Sequence, residues 1–174
     1  METYMILTSI GKDRPGIVDE VSAFLYERGA NIEDSRMAVM GGQFVIMMLF
    51  STRSEDAVTI RNGIAQLKHL GIDAYLHQAE EPSPSVESEA LPLSLDVTAM
   101  DHPGIVQKIV HIFRINQVNI QSLQTRVISA PLSGTPLFNL NIEGSVPVSV
   151  SIAGFKKALE MAAAEMNVDL NFRS

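Results

Sequence analysis

A chain of 174 residues without one cysteine forms no disulfide, no thiol nucleophile and no Cys-ligated zinc site. Its 20 acidic and 13 basic residues leave a formal charge of −7, a field that repels phosphate backbones and argues against a broad nucleic-acid surface. Apolar residues at 46% supply enough material for globular cores.

Tyr4–Ile10 reads as a short apolar strand. A helix is expected to start near Pro15, whose fixed φ and missing N–H suit a first turn. Its apolar stripe is Ile17, Val21, Phe24 and Leu25, spaced i, i+4, i+7, i+8, and Gly29 ends it. Ile32–Met40 and Phe44–Ser51 are rich in strand formers and flank Gly41-Gly42, a hairpin signal. Met37, Met40, Met47 and Met48 crowd this hairpin; alternation sends at least one inward and one outward, with core packing the expected main role. A second helix is expected from about Asp56 to Leu70, with Ile60, Ile64 and Leu67 on one face. Ile72–His77 closes the unit.

Residues 80–90, rich in Glu, Pro and Ser, read as an extended solvated linker. Beyond it the pattern returns. Leu91–Thr98 is a strand, Ile105, Ile109, Ile112 and Phe113 stripe a helix, and Asn119–Ile128 with Leu137–Glu143 form a hairpin across the longer loop Ser129–Pro136. Ile152, Phe155, Leu159, Ala162 and Met166 stripe the last helix, and Asp169–Phe172 is the last strand.

Identity underlies this parallel. Asp13-Arg14-Pro15-Gly16-Ile17-Val18 recurs as Asp101-His102-Pro103-Gly104-Ile105-Val106, shifted by 88 positions, and the same shift carries Asn31-Ile32 onto Asn119-Ile120. Seven identities in one register are hard to obtain from average residue usage. Phe44 and Phe138 are 94 apart, so the second hairpin loop carries about six extra residues. The expected organisation is α+β: two tandem domains, residues 1–79 and 91–174, each βαββαβ, ferredoxin-like, with an antiparallel sheet and helices on one face. Domains this small gain stability by sharing an interface, and the two sheets are expected to meet edge to edge.

The repeated loop suits a small zwitterion. Gly16 and Gly104 let a ligand approach the backbone, and first-turn N–H groups favour an anion. Asp13 and Asp101 can accept from an ammonium group or cap the helix; Asn31 and Asn119 offer both a donor and an acceptor. Capping and turn chemistry accounts for the same residues without any ligand.

Asp-Arg-Pro-Gly-Ile-Val followed by Asn-Ile, inside βαββαβ, resembles the ACT domain, a small regulatory module that binds amino acids. The resemblance implies an effector at an interface between two modules, contacted by Asp13, Arg14, Pro15, Gly16, Ile17, Asn31 and Ile32, and by Asp101, His102, Pro103, Gly104, Ile105, Asn119 and Ile120. The second copy departs from the first, with His102 for Arg14 and Ser122-Leu123-Gln124 for Asp34-Ser35-Arg36, which favours the first site. Two ACT copies with the stretch Asn31–Ala38 resemble ACT-only transcriptional regulators, which implies glycine or a similar amino acid as effector and a DNA-binding protein as partner. A regulatory subunit or interaction module of a metabolic enzyme is the alternative. A free sheet edge would also allow a homo-oligomer.

His69, His77, His102 and His111 have no metal-site spacing, and neither a Walker loop nor a G-x-S-x-G elbow is present. No cofactor, metal or catalytic residue is therefore expected. No apolar run reaches the ~18 residues of a membrane span, and no charged-then-apolar leader precedes the first strand. A cytoplasmic protein without direct nucleic-acid or membrane contacts is expected.

Overall fold

The computed structural model describes residues 1–82, 90–130 and 134–173. Most of the expected linker and the tip of the longer hairpin loop fall outside them. The chain divides into two compact units, Met1–Pro84 and Ser85–Ser174. The first runs β1 (Glu2–Lys12), α1 (Ile17–Tyr26), β2 (Asn31–Met40), β3 (Gln43–Arg53), α2 (Ser54–Gly63), α3 (Ala65–His69) and β4 (Ile72–Ala79). The second runs β5 (Ala90–Met100), α4 (Ile105–Ile115), β6 (Asn119–Ser129), β7 (Pro136–Pro147), α5 (Ile152–Met166) and β8 (Asp169–Arg173). Strand orders are β2-β3-β1-β4 and β6-β7-β5-β8, every pairing antiparallel. This is the ferredoxin-like α+β arrangement, twice.

Each sheet turns one face to its helices. In the first unit Met5, Leu7, Ile46, Met48, Phe50 and Ile72 meet Ile17, Val21, Phe24 and Leu25 of α1 and Ile60 and Leu67 of the second helical segment. In the second, Leu93, Leu95, Val97, Leu140 and Ile142 meet Ile105, Ile109, Ile112 and Phe113, with Phe155 set edge-on to Phe113 at 5.1 Å between ring centroids. The predicted helix stripes thus face the cores, since the 3.6-residue period brings their members to one side, though in α5 Ala163 is buried in place of the expected Ala162.

Three details differ from expectation. The first helix starts at Ile17, because Gly16 holds φ 90° at the N-cap and Pro15 lies in the preceding turn. The second helix of the first unit breaks at Ile64 instead of running on to Leu70. Gly63, a poor helix former, lies at the break, beneath the Phe24 ring and the Arg28 guanidinium that stacks on it. Of the four hairpin methionines only Met48 enters the core; Met37, Met40 and Met47 are exposed, because the helices leave β2 and the far face of β3 uncovered.

Gly41 and Gly42, at φ 59° and 77°, form the tight hairpin turn that β2 and β3 require. Ser35, Met37 and Val39 share the helix-side face of β2, pairing with Met48, Ile46 and Phe44, and β2 is an edge strand. No helix among the described residues is long and apolar enough to cross a membrane.

Candidate functional site

The two copies of the loop are built alike. Gly16 and Gly104 occupy the N-caps of α1 and α4 at φ 90° and 99°, a left-handed conformation that other residues adopt only at a cost. A Cβ on Gly104 would meet nothing within 4 Å, so the backbone angle, and not crowding, demands glycine there. The backbone N–H of Asp13 donates to the Gly42 carbonyl (3.1 Å), and that of Asp101 to the Pro136 carbonyl (3.3 Å). Each loop is thereby tied to the hairpin of its own unit.

A second tie is also repeated. Arg14 Nη2 donates to the Leu70 carbonyl (3.1 Å) at the end of α3, and His102 Nε2 lies 3.2 Å from the Met166 carbonyl at the end of α5. Different side chains clamp the loop to the same place. Arg14 also grips Glu20 through two bonds of 2.6 Å. That hydrogen-bonded guanidinium holds the Glu20 carboxyl below the usual range, and the carboxylate in turn keeps Arg14 charged. Arg14 and His102, expected as ligand contacts, are engaged as struts. Ile17 and Ile105 are buried at 3% and 1% exposure and belong to the cores, because the first inward position of each helix falls on them.

Asp13 and Asp101 are exposed and neither caps its helix, since Gly16 and Gly104 hold the N-cap without a side-chain bond. Each comes three residues before a helix N-cap, where the first N–H groups lack intrahelical partners, and in the first unit the Ile17 N–H donates to the Arg14 carbonyl (3.4 Å). The two starts differ in charge. The first turn of α1 carries Asp19 and Glu20; that of α4 carries no acidic residue and has Lys108 where α1 has Glu20. Acidic residues in a first turn disfavour an anion there, and only the first loop has them, with Glu20 paired to Arg14.

Asn31 and Asn119 are not near these loops. Asn31 pairs with Ser51, which pairs with Tyr4, whereas Asp13 follows Lys12 at the opposite end of the sheet. Eight strand steps, roughly 26 Å at ~3.3 Å each, separate the two ends. Asn119 pairs with Ser145 opposite Pro92 in the same way. Both asparagines open an edge strand just before a β-bulge, between Ile32 and Asp34 and between Ile120 and Ser122. In the first unit the bulge residue Glu33 accepts from Ser51 Oγ (2.6 Å) and Asn31 Nδ2 (2.9 Å), bonds that lower its carboxyl pKa. Asn31 and Ile32 line a shallow cleft with Asp19, Ser22 and Tyr26 of α1, while Ile120 packs partly into the second core. Strand order explains the split. A helix joining two parallel strands delivers the chain to the end of the sheet where the first strand began.

The ACT domain model matches residues 3–75, and the second unit repeats both its topology and its loop sequence. The first unit thus matches the ACT domain, and the second resembles it in topology and loop sequence. It is 28% identical over 167 residues to the glycine cleavage system transcriptional repressor of Escherichia coli (strain K12), an alignment covering 94% of this chain and 86% of that one. A crystal structure of an unknown protein from Galdieria sulphuraria superposes with a TM-score of 0.83 at 27% identity, covering 99% of this chain and 98% of that one. That of a protein described as a putative glycine cleavage system transcriptional repressor superposes at 0.73 and 21% identity over 99% and 97%, a likeness of fold.

The second module also carries polar residues outside its loop. Asp96, Asn139, Asn141, Asp169 and Asn171 lie on the sheet face away from the helices. The signal was available as Asp and Asn at alternate positions of segments otherwise rich in strand formers.

Proposed function

We propose that this tandem ACT protein is a non-enzymatic, amino-acid-responsive regulator that acts on transcription of glycine-cleavage metabolism through a protein partner. The observation that carries the reading is one loop geometry repeated at two helix starts, each with a glycine at positive φ and an exposed aspartate three residues before it. Aspartate for an ammonium group and helix N–H groups for a carboxylate describe an amino acid, glycine being the smallest. The likeness to the Escherichia coli repressor over nearly the whole chain supports the regulatory role. The net charge of −7 favours a protein partner, such as a DNA-binding transcription factor, over direct DNA contact.

Asp101, Pro103 and Gly104 form the stronger site and Asp13, Pro15 and Gly16 the weaker. Since each asparagine lies a sheet length from its own loop, no single module offers a small effector both. Effector binding then biases the assembly toward the state it prefers, and the partner reads that state. Calorimetric titration with glycine, serine and alanine tests this. Saturable binding weakened more by Gly104→Leu than by Gly16→Leu supports the reading; no binding by any amino acid sinks it.

A further inference from the structure

The two sheets differ most on their open faces. Register aligns two rows across each sheet. In the first module they are Ala38–Val45–Ile10–Asp73 and Arg36–Met47–Thr8–Tyr75. In the second, the same places hold Arg126–Asn139–Thr98–Asp169 and Gln124–Asn141–Asp96–Asn171. An apolar centre has become a polar one.

Asparagine and aspartate are depleted in strands, on a scale spanning about 1 kcal/mol between good and poor formers. Asp96, Asn139 and Asn141 nonetheless sit in β5 and β7, the two central strands, where the first module uses Thr, Val and Met. Local rules broken in one copy and kept in the other point to a role other than folding. The floor is also preorganised. Asn141 Nδ2 donates to Asp96 Oδ1 (2.7 Å), Arg173 Nε pairs with Asp96 Oδ2 (2.9 Å), and Thr98 Oγ1 donates to Asn139 Oδ1 (3.0 Å).

Above that floor lies an open cleft of about 520 Å³, within the ~300–1,000 Å³ of small-molecule sites. Its two outer strands bring the unspent charges. Arg126 on β6 and Asp169 on β8 line the cleft, are exposed, and make no hydrogen bond or ion pair among the described residues. They terminate one row, three strand spacings apart, so their Cα atoms are roughly 14 Å apart at ~4.8 Å per strand. A long side chain leaning in from one end and a short one at the other leave a gap of small-molecule length between opposite charges.

We infer that this face of the second module binds a small zwitterion, its carboxylate on Arg126 and its ammonium on Asp169, over the Thr98–Asn139 pair. The site is separate from the two loops and lies on the other side of the sheet from the helices. The side-chain amide of Asn139 adds a donor to the carboxylate end. A singly charged solute satisfies one end only, and a neutral one leaves both charges unpaired.

The test is an amide NMR titration of the full ¹⁵N-labelled chain with glycine, β-alanine and γ-aminobutyrate, which step the distance between carboxylate and ammonium. At least one is expected to move the Thr98, Asn139, Asn141 and Asp169 amides saturably. Arg126→Gln and Asp169→Asn should each weaken that binding about tenfold or more, the loss of a charged hydrogen bond. Both side chains are exposed and unpartnered, so the variants keep the fold, and an unchanged spectrum away from the cleft checks this. Shifts confined to the Asp101–Val106 amides would overturn the sheet site and leave the loop reading standing. No saturable shift anywhere would overturn both, and sheet shifts indifferent to both substitutions would overturn the assignment of charges.

Discussion

The two modules solve one packing problem in opposite ways. Where β3 places Phe50 against Ile32, β7 places Gly144 against Ile120; where α1 has Leu25, α4 has Phe113. At these two positions the ring sits on the strand in one module and on the helix in the other. Gly144 is there by necessity: a Cβ would fall 2.4 Å from the Asn119 carbonyl oxygen, with the Phe113 ring 3.7 Å away. The Phe113 ring lies where a strand side chain would otherwise stand, so the place is filled from the helix and not from the strand. The open faces had no such constraint, and there one module stayed apolar while the other became polar.

Removing either ring-bearing solution should break the comparison most sharply. Phe50 is fully buried, and Phe50→Ala should cost about 3–5 kcal/mol, seen as lost hydrogen-exchange protection in β1 and β3 of the intact chain. Gly144→Ala should cost about 1–3 kcal/mol, because the clash is with backbone and not with a side chain that can swing away. Protection should fall in β6 and β7 while the first module keeps its own. A harmless Gly144→Ala would show that the swap is not a coupled one.

Acid should separate the modules next. Glu20 and Glu33 have lowered carboxyl pKa values, through hydrogen bonds from Arg14 and from Ser51 and Asn31 respectively. A carboxyl whose pKa is lower folded than unfolded contributes stability that is complete above the unfolded value of ~4.3 and lost as pH falls through the folded one. The second module has Lys108 and Gln121 at these positions. Amide signals of the first module should therefore fade first as pH drops below the ordinary glutamate range. Glu33→Gln should narrow the difference; an unchanged order of loss would count against these bonds.

Much of this was legible in the residues. Helix stripes, hairpin and repeat all report burial, and burial follows periods that sequence displays directly. The candidate site was legible only in part. Asp13, Gly16 and Asn31 are separated in the chain by one helix, and nothing local to them reveals that this helix carries Asn31 to the far end of the sheet. The roles of Arg14 and His102 depend on Leu70 and Met166, 56 and 64 residues away, which no local pattern could pair. The polar rows are a product of register: Arg126 and Asp169 share a row only because β7 and β5 lie between them.

The smallest expected effect lies at the ends of the first helices. Both close with the same bond, Ala30 N–H to the Leu25 carbonyl (3.1 Å) and Val118 N–H to the Phe113 carbonyl (3.0 Å). That closure needs a left-handed residue just before the last donor, and the first module uses Gly29 at φ 71°. The second uses Gln117 at φ 57°, a backbone that a side chain adopts only at a cost. Gln117 is exposed, so replacing it removes no core contact. Gln117→Gly should stabilise the second module by about 0.5–1 kcal/mol, the strain relieved less the extra freedom that glycine gives the unfolded chain. Gly29→Gln should weaken the first module by a similar amount, and more if the added Cβ, 3.2 Å from Asp56 Oδ2, cannot be accommodated. Thermal unfolding of the intact chain, read at amides of each module, would show the two changes in opposite directions. If both destabilise, the left-handed position in the second module is held by the Gln117 side chain, and the two helix ends are alike in shape but not in cause.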